Sequence, residues 1–103
     1  MIHCILAKFL PSVKPEQKAR IAEEVRELFS GLLTQPGFRR VKVLRNCVDR
    51  SNRYDILITI DMDASALETY DASEPHRLWK LRYGSLLESR SIFDYEPEEA
   101  QRQ

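Results

Sequence analysis

Residues 53–63 read RYDILITIDMD, and their alternation decides what lies at the middle of this 103-residue chain. Tyr54, Ile56, Ile58 and Ile60 fall on one side of an extended backbone and Asp55, Leu57, Thr59 and Asp61 on the other, the period-two pattern of a β-strand. Immediately upstream, CVDRSN (47–52) is a polar connection. Before it, FRRVKVLRN (38–46) is a second strand with one wetter face, Val41 and Val43 set against Arg40, Lys42 and Leu44. Further back the period changes. From Pro15, the residues Ile21, Ala22, Val25, Leu28, Phe29, Leu32 and Leu33 recur at three- and four-residue steps, which predicts a helix. Proline suits its first position and Glu16 the positive end of its dipole, and Gln35-Pro36-Gly37 ends it. IHCILAKFL (2–10) is short, apolar and bounded by Pro11, as a buried strand would be. Downstream, Ala64, Leu67 and Glu68 to Tyr70 predict a short helix interrupted near Pro75, because the residue before a proline is pushed out of the helical region. A second helical piece carries Leu78, Trp79, Leu81, Arg82 and Leu86. SIFDYE (91–96) is the last strand, and residues 97–103 read as a solvated tail.

The predicted order is β-α-β-β-α-β, an α+β ferredoxin-like protomer in which one antiparallel sheet carries its helices on one face. One domain over residues 1–96 accounts for the length. The helices cover only one sheet face, yet strand one is apolar on both, with Ile2, Cys4 and Leu6 against Ile5, Ala7 and Phe9. The isoleucine row of strand three is expected to add to that surplus. A soluble monomer seldom exposes more than a few hundred Å² of contiguous apolar surface, on the order of 300–600 Å². A second copy of the same sheet, packed about a two-fold axis, would cover it, so a homodimer through sheet faces is expected.

Lysine plus arginine and aspartate plus glutamate number 16 each, so no net field draws the chain to nucleic acid or to an anionic membrane. The apolar run MIHCILAKF is too short to span a bilayer and lacks the basic lead and cleavage site of a signal peptide, so a cytoplasmic protein is expected. In that compartment Cys4 and Cys47 are expected as free thiols.

At this point the residues resemble the stress-responsive A/B barrel domain family, often shortened to Dabb. The resemblance runs over residues 1–96 and rests on the order and spacing of MIHCILAKF, NRYDILITIDMD, YDASEPH and FDYE. It implies a dimeric α/β barrel built from the sheets of two ferredoxin-like protomers, with the helices outside. Many members have no assigned reaction. One plant branch contains polyketide cyclases in which the tyrosine and the last histidine of the corresponding stretch form a proton-transfer pair between helices and sheet. Tyr70 and His76 occupy the matching positions. The usual stretch has two histidines around Pro-Ala, whereas Ser73-Glu74-Pro75-His76 keeps only the second. A histidine of the cyclase branch on strand three is Asp55 here, and the equivalent of His3 is retained.

Each candidate has a structural alternative. His76 could accept and return a proton with Tyr70 orienting it or holding an enolate, or it could cap the helix that carries Leu78 and bond to nearby backbone. His3 shares the face of Ile5 and Phe9, where Asp55 could pair with it. Such a pair would either line a cavity with Tyr70 and His76 or satisfy two buried polar groups. Trp79 is either cavity lining or core packing. The basic run Arg39, Arg40, Lys42, Arg45, Arg50 and Arg53 could bind an anion, or could guard a sheet edge against aggregation. An RNA-recognition fold shares the strand order, but RYDILITI lacks the aromatic pattern that RNA stacking requires. The antibiotic-biosynthesis monooxygenases, also ferredoxin-like dimeric barrels, leave oxidation of a small aromatic as an alternative reaction. With two histidines and no close cysteine or carboxylate spacing, no metal and no cofactor are expected. The expected ligand is a small ketide-like or 1,3-dicarbonyl molecule, with His76 and Tyr70 catalytic and His3, Asp55 and Trp79 lining the site.

Overall fold

In the computed structural model, which describes residues 1–100, the alternating segment becomes a strand between two others. The elements are β1 (Ile2–Phe9), α1 (Pro15–Ser30), β2 (Phe38–Arg45), β3 (Ile56–Met62), α2 (Leu67–Asp71), α3 (Glu74–Tyr83), β4 (Leu87–Tyr95) and a short helix α4 (Pro97–Ala100). The sheet order is β2-β3-β1-β4, and every neighbouring pair is antiparallel. The β1-α1-β2 crossover thus leaves a gap that β3 fills, the split arrangement of a ferredoxin-like fold.

Register decides which residues meet the helices. His3, Ile5 and Ala7 lie opposite Ile60, Ile58 and Ile56 on one side and opposite Asp94, Ile92 and Arg90 on the other. Val41 and Val43 continue the upper two rows onto β2. The α1 stripe Ile21, Ala22, Val25 and Phe29 seals against this face with Leu32, Trp79 and Tyr83, all buried. Each large apolar side chain removed from water here contributes about 1.5–3 kcal/mol.

One expectation about the faces is corrected by this register. The isoleucine row of β3 faces the helices and forms the core, with Ile58 and Ile60 fully buried, so it adds nothing to the second face. The surplus there comes instead from Ile2, Cys4 and Leu6 of β1, Leu57 of β3, Leu44 of β2, and Phe93 and Tyr95 of β4. Leu44 remains 51% and Phe93 63% exposed.

Several boundaries also move. The last strand begins at Leu87 rather than residue 91, because α3 closes in a single 3-10 turn over Gly84–Leu86 and the chain extends at once. The predicted tail starts as a turn of helix, and its residues 101–103 lie outside the described residues. Gly37 has φ +90°, which favours glycine in the turn before β2, and a Cβ there would also crowd the Ala66 Cβ at 3.0 Å. Both cysteines are free, Cys4 buried and Cys47 exposed. Among the described residues no helix is long and apolar enough to cross a membrane.

Candidate functional site

The break between α2 and α3 sets the site. Asp71 ends α2, and Ser73, in an extended conformation, caps α3. Its hydroxyl donates to the Tyr70 carbonyl at 2.6 Å and accepts from the His76 backbone N–H at 3.3 Å. Pro75 therefore falls in the first turn of α3, where its missing N–H costs nothing, and His76 follows it. The His76 ring turns back onto the end of α2, with Nδ1 2.9 Å from the Asp71 carbonyl oxygen. A carbonyl only accepts, so Nδ1 carries the proton and, in the neutral ring, Nε2 carries the lone pair.

Tyr70 is buried and packs against both histidines, its ring centroid 5.0 Å from that of His3 and 4.8 Å from that of His76. Burial pushes its phenol well above the ordinary tyrosine value; the charge of Asp71 adds to this, and the Arg90 guanidinium opposes it. Tyr70 is thus a hydrogen-bond donor rather than a phenolate. His3, also buried, donates from Nδ1 to Asp94 Oδ1 at 2.5 Å, its cross-strand neighbour on β4.

These groups line a cleft of about 360 Å³ between the α2–α3 junction and the β1–β4 edge of the sheet. Ile5, Leu67, Trp79 and Ile92 supply its apolar lining, and Asp71, Lys80 and Arg90 its remaining polar groups. The cleft exists because β4 is an edge strand whose helix-facing row is incompletely roofed, leaving Ile92 53% exposed. A groove of about 530 Å³ between α1 and α3 is larger but more open and contains no histidine. Its Tyr83 hydroxyl donates to Glu24 at 2.9 Å, a strut between two helices.

Of the residues singled out from the sequence, His3, Tyr70, His76 and Trp79 come together here. Trp79 is almost wholly buried between the Phe29 and Tyr83 rings, so it serves as core and cleft wall together. Asp55 does not join them. The β1–β3 register sets His3 opposite Ile60 and Ala7 opposite Ile56, which puts Asp55 at the far end of the sheet. There its carboxylate accepts from the Phe9 backbone N–H at 2.7 Å and from Lys18 at 2.9 Å, and the expected His3–Asp55 pair is replaced by His3–Asp94. Asp94 was findable from its alternation with Ile92 in SIFDYE, once β4 is set beside β1. Lys80 and Arg90 carried no sequence signal beyond their charge. Among the described residues no three His, Cys, Asp or Glu side chains converge as a metal-ligating group.

Over residues 1–97 the sequence matches the stress responsive A/B barrel domain family. No curated protein matches it. Among solved structures it is similar to a dimeric, ferredoxin-like protein of unknown function from Bacteroides fragilis, with TM-score 0.75 and 21% identity over 92% of this chain and 93% of that one. It is similar also to a Dabb family protein with a ferredoxin-like fold from Mesorhizobium loti, with TM-score 0.71 and 16% identity over 93% of this chain and 94% of that one. A hydroxynitrile lyase from Passiflora edulis shares the fold at TM-score 0.66, with 10% identity over 91% of this chain and 89% of the other. At such identities the likeness is one of fold.

Proposed function

The chain belongs to the stress responsive A/B barrel domain family, and from that premise we propose a homodimer, paired through its open sheet faces, whose protomers each bind a small carbonyl compound beside His76 and move a proton on it. One observation carries the chemistry. The His76 Nδ1 proton is held by the Asp71 carbonyl, which reserves the Nε2 lone pair for a ligand, and the neighbouring Tyr70 is kept protonated by burial.

The step follows from those two states. A proton leaves the carbon between two carbonyls for His76 Nε2, and the C–H electron pair moves into the carbonyl as an enolate. The Tyr70 O–H donates a hydrogen bond to the enolate oxygen. The imidazolium then returns the proton to carbon or, where the enolate carbon closes onto a second carbonyl, to the oxygen of that new alkoxide. The apolar walls from Ile5, Leu67, Trp79 and Ile92 take the non-polar part of the ligand. His3, held by Asp94, positions the far face of the Tyr70 ring.

Deuterium incorporation at the central carbon of acetoacetate and of its methyl ester in D2O, followed by NMR, tests the proposal. The wild type is expected to exceed the buffer rate on at least one of the two, and His76→Ala to lose that excess by about 10²–10⁴-fold. Equal rates for wild type and His76→Ala would overturn the reaction.

A further inference from the structure

The cleft carries two cations at its rim. Lys80 lies four residues after His76, so both project from one side of α3. Arg90 lies on β4 opposite Ala7, in the same helix-facing row as Ile92 and Asp94. Two cations thus approach the cleft from opposite walls, one from a helix and one from the sheet edge, and both line it. Some cations elsewhere are engaged, Lys8 by Glu88, Lys18 by Asp55 and Arg77 by Glu74, and others such as Arg40, Lys42 and Arg82 are not; of the described cations, Lys80 and Arg90 are the two that line this cleft. Among the described residues Lys80 and Arg90 form no ion pair. Two carboxylates also line the cleft. Asp94 is held by its hydrogen bond to His3 on β1, so the four formal charges balance and the pull on an anion is local, where Arg90 and Lys80 face one another.

From this arrangement we infer that the ligand is an anion, a small β-keto acid or similar carboxylate-bearing carbonyl compound, whose carboxylate sits between Arg90 and Lys80 while its keto group lies at Tyr70 and His76. The inference rests on the proton-transfer reading for the role of the keto group, but the carboxylate seat stands on the two cations alone. Arginine offers a carboxylate a planar two-pronged donor, and lysine a point charge that tolerates several positions. Arg90 is near enough for its charge to act on the Tyr70 phenol. A carboxylate held there is therefore within a small molecule's length of the proton-transfer pair.

Acetoacetate and its methyl ester share one keto group and differ in charge, so the same exchange experiment separates the two ideas. With each compound's rate divided by its own buffer rate, the wild type is expected to favour the acid over the ester by about tenfold or more. In the Arg90→Gln/Lys80→Gln double variant that preference should fall to within about twofold. Both positions are exposed, so loss of the fold is not expected, and an unchanged thermal midpoint checks this. Arg90→Lys should restore part of the preference, and 0.5 M NaCl should weaken it. Equal acceleration of acid and ester by the wild type, or a preference that survives the double variant, overturns the carboxylate seat and leaves the proton transfer standing. If neither compound exchanges, titration calorimetry with acetoacetate decides: binding that the double variant abolishes supports the seat while removing the reaction, and no binding overturns the seat as well.

Discussion

At the scale of single residues, Tyr70 makes the sharpest claim. Its phenol titrates above the ordinary value because the charged form would be buried, and Tyr83 is pushed up to about 12 by burial and by its bond to Glu24. Below about pH 10 both phenols are protonated whether the chain is folded or not, so they add no pH dependence. Above it the unfolded chain releases protons that the folded chain retains, and stability must fall as pH rises. The thermal midpoint is therefore expected to drop from about pH 10 upward, and less steeply in Tyr70→Phe and in Tyr83→Phe. The absorbance titration of the phenolates should lose a late component in each variant. A Tyr70→Phe protein with the full alkaline drop and an unaltered titration would show that this phenol is not held protonated. Tyr70 and His76 were singled out by the resemblance to the family and the face of His3 by alternation along its strand, and the structure brings the three rings together. The partner of His3 was not legible in the sequence. Choosing Asp94 over Asp55 requires the β1–β4 and β1–β3 registers, which are properties of pairs of distant strands.

Among elements, the α2–α3 junction shows how a break can place chemistry. Pro75 marks it in the sequence, but the residue that organises it is Ser73, whose hydroxyl links the Tyr70 carbonyl of α2 to the His76 N–H in the first turn of α3. The sequence reading gave the break to the proline alone. A serine between helices also suits an ordinary turn, and its capping role appears only when α3 is seen to start at Glu74. Ser73→Ala is expected to cost about 1 kcal/mol, the usual loss for a helix N-cap. It should also free the backbone that fixes His76, so exchange activity should fall together with stability. Ser73→Thr, which keeps a hydroxyl that can both donate to the Tyr70 carbonyl and accept from the His76 N–H, should recover the midpoint in chemical denaturation. A Ser73→Ala protein of full stability would mean that Pro75 and the His76–Asp71 bond hold the junction unaided. The moved start of β4 has a similar origin. Glu88, Ser89 and Arg90 carry no apolar alternation, so the pairing of Leu87, Ser89 and Arg90 with Phe9, Lys8 and Ala7, across a register shift that leaves Glu88 without a partner in the ladder, makes that segment a strand.

For the whole molecule, the open question is what covers the second sheet face. The strand order and the placement of the helices were readable from changes of period along the chain, whereas the assignment of the isoleucine row to a face depended on where the helices lie. With that row turned inward, the case for a partner rests on fewer residues, chiefly Leu44, Leu57, Phe93 and Tyr95 with Ile2 and Leu6. They form one patch, because β2, β3, β1 and β4 present them from the same side of a continuous sheet. Leu44 and Phe93 stand near its two edges and keep half or more of their surface in water. Covering what each still exposes is worth about 1–2 kcal/mol. In a two-fold dimer every substitution occurs twice, so losing one of them costs about 2–4 kcal/mol, or roughly 30- to 1,000-fold in Kd. The wild type is expected to sediment as a dimer at micromolar concentration, and Leu44→Asp/Phe93→Asp as a folded monomer, since neither side chain reaches the helix-facing core. A wild-type protein that stays monomeric at tens of micromolar would leave that patch without a partner copy and remove the homodimer. A double variant that remains dimeric would instead move the contact off this face, to the sheet edges or the helices.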